Sequence, residues 1–250
     1  MNNGVVNKLA FLVKQNGGET YYVGGSVRDR FLNIESNDID IEVHGITSNV
    51  LEDILNELGN KLEYGKSFGI YSIEGTNIEI ALPRKEVSTG SGHRDFNIEI
   101  DPFIGTKEAA RRRDFTINSL MQNVITGELI DHYNGLNDLK NRILRHIDDD
   151  LFIEDPLRVF RAARFLSKFD FEIYEETVNL CKRIDTSFLS KERVEEELKK
   201  TLLDSRKPSL FFDCLRKMDQ LKVWFKELDR SIGYKIDKNN DLFKLSKIMY

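Results

Sequence analysis

The chain has little of what marks a membrane, secreted or zinc-binding protein. Two of its 250 residues are cysteine and four are histidine. Cys181 and Cys214 match neither a metal-ligand nor a redox spacing, and such cysteine usage fits a reducing cytoplasm. No apolar run approaches the roughly 18 residues that a membrane-spanning helix needs, and the N-terminal stretch lacks a cleavage site. We therefore expect a cytoplasmic protein without a membrane partner.

The charge balance argues against a surface that coats nucleic acid uniformly. The chain carries 37 Lys and Arg residues against 42 Asp and Glu residues, a formal net charge of −5. A local basic groove remains compatible with this balance. Hydrophobic residues make up 40% and charged residues 32% of the chain, which is ordinary for a globular protein. The length allows one large domain or two small ones.

Residues 21–45 carry the densest functional signal. An apolar segment that favours a strand leads into Gly24 and Gly25, and the later segment DIDIEV alternates polar and apolar residues as a half-buried strand does. Because residues i and i+2 of a strand point the same way, Asp38 and Asp40 would present two carboxylates side by side. Such oxygen donors suit Mg²⁺.

The two glycines have a separate role in this interpretation. Between a strand and a helix, Gly24 and Gly25 would let the backbone approach a phosphate group, while the helix N-terminus supplies N–H donors. Arg28 follows within the same short segment. The alternative is an ordinary strand–turn–helix with surface charges.

The combination of GGSVRD with DIDIE resembles the signature of the DNA-polymerase-beta-like nucleotidyltransferases. Its form is similar to that of the bacterial (class II) CCA-adding tRNA enzymes and bacterial poly(A) polymerases. The resemblance extends over most of the chain and implies an α+β fold. A catalytic head with a mixed sheet is expected at residues 1–140, followed by an all-α neck at 141–205 and the start of a helical body at 206–250.

The resemblance also implies a third carboxylate on a neighbouring strand. Residues 69–73 and 77–81 alternate around a turn and predict a β-hairpin. Glu79, in the second of these segments, is the candidate, and a solvated strand charge is the alternative. Residues 84–110 are expected to form a loop with a short strand at 97–100, since the family has a mobile loop near here that helps position the terminal nucleotide.

The segment RRRDFTINSL is similar to the family's second motif, in which Arg and Asp contact the triphosphate and the ribose hydroxyls. The resemblance carries these contacts to Arg113 and Asp114, with Arg112 beside them. By itself, a basic run is more typical of a solvated face, and Asp114 is also a plausible helix cap.

The segment EDPLRVFRAARF predicts a helix on which Arg158, Arg161 and Arg164 share roughly one face. An ordinary amphipathic helix is the alternative. The segment resembles the family's Glu-Asp-x-x-Arg motif, which hydrogen-bonds the base edge of the incoming nucleotide. The resemblance implies that Asp155 and Arg158 recognise the base, and that Arg161 and Arg164 face the nucleotide phosphates or the tRNA end. Residues 191–198 resemble a family segment that braces the neck helices.

The resulting hypothesis is the addition of CCA, or part of it, to tRNA 3′ ends from CTP and ATP, with Mg²⁺ held by Asp38 and Asp40. In this hypothesis Gly24, Gly25 and Arg28 cradle the triphosphate. A poly(A) polymerase shares these motifs and stays open, as does a catalytically inert module that binds nucleotide or RNA. DNA is not an expected partner. Full-length relatives continue further, so the helical body is expected to be naturally short or truncated.

Overall fold

A computed structural model of the chain describes residues 2–35, 38–59, 61–63, 69–88 and 96–232. The chain divides into two compact units, Met1–Leu139 and Lys140–Tyr250. The centre of the expected Gly/Ser-rich loop, residues 89–92, lies outside the described residues. The catalytic, neck and body roles assigned to parts of the chain stay predictions.

The first unit is built around a mixed β-sheet. Its helices are α1 (Asn2–Gln15), α2 (Gly25–Phe31), α3 (Ser48–Leu58), α4 (Thr106–Arg111) and α5 (Gly135–Asn141). Its strands are β1 (Glu19–Val23), β2 (Ile39–His44), β3 (Lys61–Glu63), β4 (Ile70–Ile73), β5 (Ile78–Ala81), β6 (Arg84–Ser88), β7 (Phe96–Ile100), β8 (Met121–Asn123) and β9 (Leu129–Ile130). The sheet has seven strands in the order β3-β4-β5-β2-β1-β8-β9. Strands β2 and β5 are parallel and the other neighbours are antiparallel, which confirms the expected mixed sheet.

The central strand β2 has one apolar and one polar face. Ile41 and Val43 are almost fully buried, as their place in a sheet core requires. Asp40, Glu42 and His44 alternate with them and lie on the opposite face. Glu42 and His44 are nevertheless buried as well. Polar groups in such a place need partners, so this face is where a functional site is expected.

Helix α1 supports the sheet through an apolar stripe. Val6, Leu9 and Val13 recur at helical spacing and are fully buried. The helix packs against β1 and α3, where Leu51 and Leu55 are also fully buried. These contacts build a core under the strands that carry the polar residues.

The prediction of a loop over residues 84–110 is partly wrong. Strand β6 pairs antiparallel with β7, from Arg84 opposite Ile100 to Ser88 opposite Phe96. The short strand expected at 97–100 is confirmed, whereas β6 and α4 were missed. Strand β6 carries charged residues and precedes a polar Gly/Ser-rich segment, so its local sequence resembles a loop. Its pairing partner comes from further along the chain.

The second unit is mainly helical. Its elements are β10 (Ile143–Leu144), α6 (Asp149–Ile153), α7 (Arg158–Phe169), β11 (Glu172–Ile173), α8 (Glu175–Lys182), α9 (Lys191–Asp204), α10 (Ser209–Lys217), α11 (Leu221–Trp224) and α12 (Lys226–Arg230). The two-residue strands β10 and β11 form a parallel pair, so the expectation of an all-α segment is wrong in this detail. Phe160 of α7 contacts Phe211 and Trp224, with ring centroids 6.3 and 5.9 Å away. Aromatic packing therefore joins α7 to the following helices.

The helices are short in the described part of the chain. The longest, α1 and α9, have 14 residues each. Among the described residues, no helix is both long and apolar enough to cross a membrane.

Candidate active site

The turn between β1 and α2 brings the backbone close to two charged side chains. Gly24 has φ +59°, a conformation that L side chains rarely adopt. A Cβ atom at Gly24 would lie 3.0 Å from Arg113 Nη1 and 3.8 Å from Asp40 Oδ2. A Cβ atom at Gly25 would lie 3.6 Å from the same Asp40 oxygen. The two glycines thus leave room between the turn, a carboxylate and a guanidinium.

Asp38 directly precedes β2 and Asp40 is its second residue, and Ser26 connects this strand to α2. The Asp40 backbone N–H donates to the Ser26 hydroxyl at 2.6 Å, and this hydroxyl lies 3.4 Å from the Asp38 carbonyl oxygen. The Asp38 side chain is exposed, whereas Asp40 is partly buried. Ser26 was not among the predicted site residues, although a hydroxyl directly after a diglycine is a recognisable signal. These contacts fix the backbone positions from which the two carboxylate side chains extend.

Glu79 lies directly beside Asp40 in the sheet. In the parallel pairing of β2 with β5, Asp40 is opposite Glu79, and the predicted hairpin of β4 with β5 is confirmed. Burial raises the pKa of Asp40; the charge of Arg113 opposes this and that of Asp38 adds to it. Partial burial also raises the pKa of Glu79, and the charge of Asp40 raises it further. The three carboxylates therefore interact electrostatically.

The donor set at this end of β2 fits a hard divalent cation. Asp38, Asp40 and Glu79 offer oxygen donors, which Mg²⁺ prefers over the nitrogen and sulfur ligands typical of Zn²⁺. Burial is the main cause of the raised pKa of both Asp40 and Glu79, and the charges of neighbouring carboxylates add to it. In the described part of the chain, no three acidic, histidine or cysteine side chains already stand close enough to hold a metal ion. Glu79 is thus linked to the aspartates by strand register and charge.

Arg113 is held on this face by a carboxylate that sequence analysis missed. Arg113 Nη2 donates to Glu42 Oε2 at 3.0 Å, and His44 Nε2 lies 2.8 Å from Glu42 Oε1. Burial by itself would raise the pKa of Glu42, but the charge of Arg113 and the hydrogen bond from His44 outweigh it and lower the pKa to about 2. The alternation that placed Asp38 and Asp40 on one face includes Glu42 and His44, so the signal was present in the sequence.

Asp114 and Arg28 belong to one buried network. Asp114 Oδ1 accepts hydrogen bonds from the Phe115 backbone N–H at 2.9 Å and from Asn118 Nδ2 at 2.8 Å. Arg28 Nη1 donates to Asn118 Oδ1 at 2.5 Å, and its Nε donates to Asp29 at 2.7 Å. Asp114 precedes a short 3₁₀ turn whose cap position is Phe115, so it does not cap a helix in the expected way. Asn118, also missed, joins the two motifs.

In the second unit, the predicted arginine face of α7 is engaged with neighbouring groups. Arg158 Nη1 donates to the Leu151 carbonyl oxygen at 2.9 Å. The guanidinium of Arg161 lies 5.4 Å from the ring centre of Phe165. Arg164 Nε donates to Glu197 Oε2 at 2.6 Å, and both side chains are largely buried. Arg164 thus forms a buried ion pair.

Helix α9 contacts two of the predicted nucleotide-binding residues. Arg193 Nη2 donates to Asp155 Oδ1 at 3.1 Å, and Glu197, four residues later, pairs with Arg164. Asp155 also accepts from the Leu157 backbone N–H at 3.2 Å, which orders the segment before α7. Helix α9 thus contacts both α7 and the segment before it, and the bracing role expected for residues 191–198 stays a prediction.

Comparison with known proteins gives a consistent picture for the first unit. Residues 20–145 match the family described as the poly A polymerase head domain, about half of the chain. The match includes the glycine turn, β2, Glu79 and the segment with Arg113 and Asp114.

Curated relatives and a solved structure extend the likeness into the second unit. The multifunctional CCA protein of Haemophilus ducreyi is 36% identical over 222 residues, which cover 86% of this chain and 52% of the relative. That of Stenotrophomonas maltophilia is 39% identical over 220 residues, 85% of this chain and 52% of the relative. The Thermotoga maritima CCA-adding enzyme complexed with tRNA_CCA superposes with a TM-score of 0.72 at 28% identity, over 93% of this chain and 53% of that one. The chain thus spans about half the length of the relatives it matches.

Proposed function

The chain belongs to the poly(A) polymerase and CCA-adding nucleotidyltransferase family, and from this premise we propose that it adds CCA, or part of it, to tRNA 3′ ends. The substrates are CTP and ATP, and no nucleic-acid template is needed. In each step the RNA 3′-hydroxyl oxygen forms a bond to the α-phosphorus, and the bond from that phosphorus to pyrophosphate breaks. The observation that carries the proposal is the placement of Asp40 beside the glycine turn and opposite Glu79.

Asp38 and Asp40 would hold Mg²⁺, and Glu79 would support them. When bound, Mg²⁺ lowers the pKa of the attacking hydroxyl and stabilises the charge that develops on pyrophosphate. The oxygen donors and the place of Asp40 opposite Glu79 support this assignment. The hydrogen bond from the Asp40 backbone to Ser26 would keep the carboxylates in place while the substrates bind and leave.

The glycine turn would receive the triphosphate. Gly24 and Gly25 leave the backbone uncovered, and the Arg113 guanidinium beside them matches phosphate oxygens in shape and charge. Asp114 would contact the ribose. Because Arg28 is buried against Asp29 and Asn118, its contribution would be to hold the turn and to add positive charge beneath it.

Base recognition would come from Asp155 and Arg158 in the second unit. A carboxylate acceptor next to a guanidinium donor can complement the Watson–Crick edge of cytosine or adenine. The contacts of Asp155 with Arg193 and of Arg158 with the Leu151 carbonyl support a preset orientation of both side chains. Arg161 would face phosphates or the tRNA end. For Arg164 the buried pair with Glu197 favours support of α7 over direct contact.

A cytoplasmic setting fits this function. Cys181 and Cys214 are both buried free thiols, as expected in a reducing compartment. Poly(A) addition is a second candidate, because the matching family is described by that activity.

The test uses three tRNA transcripts that end before CCA, after the first C, and after CC. Each is incubated with the protein, Mg²⁺, and labelled CTP, ATP or both, and the products are sized on a gel. We expect growth that stops at CCA, with CTP used first and ATP last.

Other products would revise the proposal in defined ways. Long A-tails would replace it by poly(A) addition, and products that stop at CC or gain a single A would narrow it to a partial activity. An absence of incorporation by folded protein that binds nucleotide would contradict it, and would favour an inert binding module.

A further inference from the structure

We propose that Glu42 is a positioning residue, which holds the Arg113 guanidinium at the glycine turn, and that His44 fixes the Glu42 carboxylate from its other side. The inference rests on the proposed function, in which Arg113 contacts the triphosphate. It adds a role for two residues of β2 that lie beyond the metal-binding pair.

The strand geometry puts Glu42 between the aspartates and His44. Residues 40, 42 and 44 share one face of β2, and Glu42 is opposite Tyr21 in β1. Glu42 is 4% exposed and His44 7% exposed. A carboxylate buried to this degree requires strong partners, since its burial is otherwise costly.

Each Glu42 oxygen has its own partner. Oε2 accepts from Arg113 at 3.0 Å and Oε1 accepts from His44 at 2.8 Å. The His44 ring in turn meets the Tyr21 ring edge-on, with centroids 5.3 Å apart. Rotation of the carboxylate would break both hydrogen bonds, so its orientation, and with it that of the guanidinium, is restricted.

The remaining contacts of Arg113 are weaker. Its Nη1 lies 3.4 Å from the Asn118 carbonyl oxygen, at the limit of a hydrogen bond. Its Nε is buried and has no hydrogen-bond partner among the described residues. Among the described contacts of this guanidinium, the ion pair with Glu42 therefore restrains its position most strongly. Nη1 faces Gly24, where a Cβ atom would be 3.0 Å away.

Asp40 competes for the same guanidinium. The charge of Arg113 already acts on the Asp40 carboxyl. If Glu42 lost its charge, Arg113 would be drawn toward Asp40 and away from the phosphate position. Glu42 thus keeps the phosphate-binding cation separate from the metal-binding carboxylate.

The experiment compares the full chain with E42Q, R113M and the double variant E42Q/R113M. Equilibrium dialysis of labelled ATP with Mg²⁺, without RNA, gives Kd, and transfer assays give KM and kcat. We expect E42Q to raise Kd and KM for ATP on the order of tenfold, the size of a weakened charge-assisted hydrogen bond, with a smaller change in kcat. R113M should weaken ATP binding at least as much.

The double variant separates positioning from a structural effect. If Glu42 acts through Arg113, E42Q/R113M binds ATP as weakly as R113M and no more weakly. This variant also leaves neither member of the Glu42–Arg113 pair as a buried charge without its partner. As a matched control, D138N neutralises a buried carboxylate of the same unit that accepts a hydrogen bond from the Thr116 hydroxyl. It should lower the melting temperature without changing Kd.

Two results would overturn the inference. One is an E42Q protein that binds ATP as wild type does. The other is a double variant that is weaker than R113M by the same factor that separates E42Q from wild type. Wild-type protein that binds ATP but transfers no nucleotide would refute the proposed function, while the Kd comparison would still decide the role of Glu42. Wild-type protein that binds no ATP would refute both.

Discussion

Two rows of charged residues, one on β2 and one on α7, were predicted from simple periodicity, and they differ in what surrounds them. On β2 the carboxylate of Asp40 is partly buried and its pKa is raised, because burial outweighs the nearby positive charge. On α7 the guanidinium of Arg164 is buried against the carboxylate of Glu197. The charge of Asp40 is thus only partly offset by its neighbours, whereas the charge of Arg164 is paired within the protein.

The difference shows that periodicity gives the face of an element but not the partners of that face. Strand alternation placed Asp40, Glu42 and His44 together, and helical spacing placed Arg158, Arg161 and Arg164 together. Whether a row of charges is available to a substrate depends on neighbours from elsewhere in the chain. Four predictions test this distinction, in order of decreasing effect.

The largest effect is expected at the carboxylates that we propose to bind Mg²⁺. Asp40→Ala should lower the rate of nucleotide transfer by roughly three orders of magnitude or more, since metal-assisted stabilisation of the transition state is worth several kcal/mol. Binding of ATP should persist in part, because the glycine turn and Arg113 remain. Transfer rates with Mg²⁺ and equilibrium dialysis check both statements. Full activity of the variant would remove Asp40 from the mechanism.

The ion pair of α7 should matter for stability. Arg164→Met leaves Glu197 buried without its partner, so the free energy of unfolding should fall by about 3–5 kcal/mol. The double variant R164M/E197M should recover much of this loss. The exposed pair Lys191–Glu195 supplies a control, because Lys191→Met should leave the urea midpoint unchanged. A stable R164M protein with weakened ATP binding would instead assign Arg164 to the substrate.

Acid should lower the free energy of unfolding of the first unit, because Glu42 becomes protonated. Its folded-state pKa of about 2 lies below the ordinary value of 4.5. The stabilisation is thus fully present above the unfolded-state pKa and is lost as pH falls from about 4.5 toward 2, on the order of 3 kcal/mol in total. Urea denaturation with EDTA across this range, for wild type and E42Q, measures the loss. Parallel curves for the two proteins would exclude Glu42 as its source.

The smallest effect concerns base selection in the second unit. Asp155→Asn should change the ratio of kcat/KM for CTP and ATP by about tenfold, as loss of one carboxylate contact to a base edge implies. Arg193→Gln removes the ion-pair partner of Asp155 but keeps the carboxylate and its contact with the Leu157 N–H, so it should change this ratio less. An equal shift in both variants would mean that the ion pair, rather than a base contact, sets the preference.

Much of the site was predictable because its signals are local. The alternation of DIDIEV predicted β2 and its polar face, and the diglycine predicted the turn beside it. The pairing of Glu42 with Arg113 joins residues 71 positions apart, and no local pattern specifies such a partner. The parallel register that sets Glu79 opposite Asp40 likewise depends on how β2 and β5 pair.

The predictions that were wrong concern strands that are defined by pairing with other segments and that have no clear strand pattern in their own sequence. Strand β6 has a charged, loop-like sequence and is defined by its pairing with β7. The pair β10 and β11 has two residues in each strand, too few to show an alternating pattern. The hydroxyl of Ser26 directly follows the diglycine, so its signal was present in the sequence. The hydrogen bonds of Asn118 with Arg28 and Asp114 join two motifs, and composition and spacing do not specify them.

The most direct measurement is incorporation of labelled CTP into a tRNA transcript that ends before CCA, by the wild-type chain, with Mg²⁺ and with EDTA. We predict that two nucleotides are added with Mg²⁺ and none with EDTA. Equal incorporation under both conditions would contradict the role of the carboxylates of β2. No incorporation by folded protein that binds CTP would contradict nucleotidyl transfer itself.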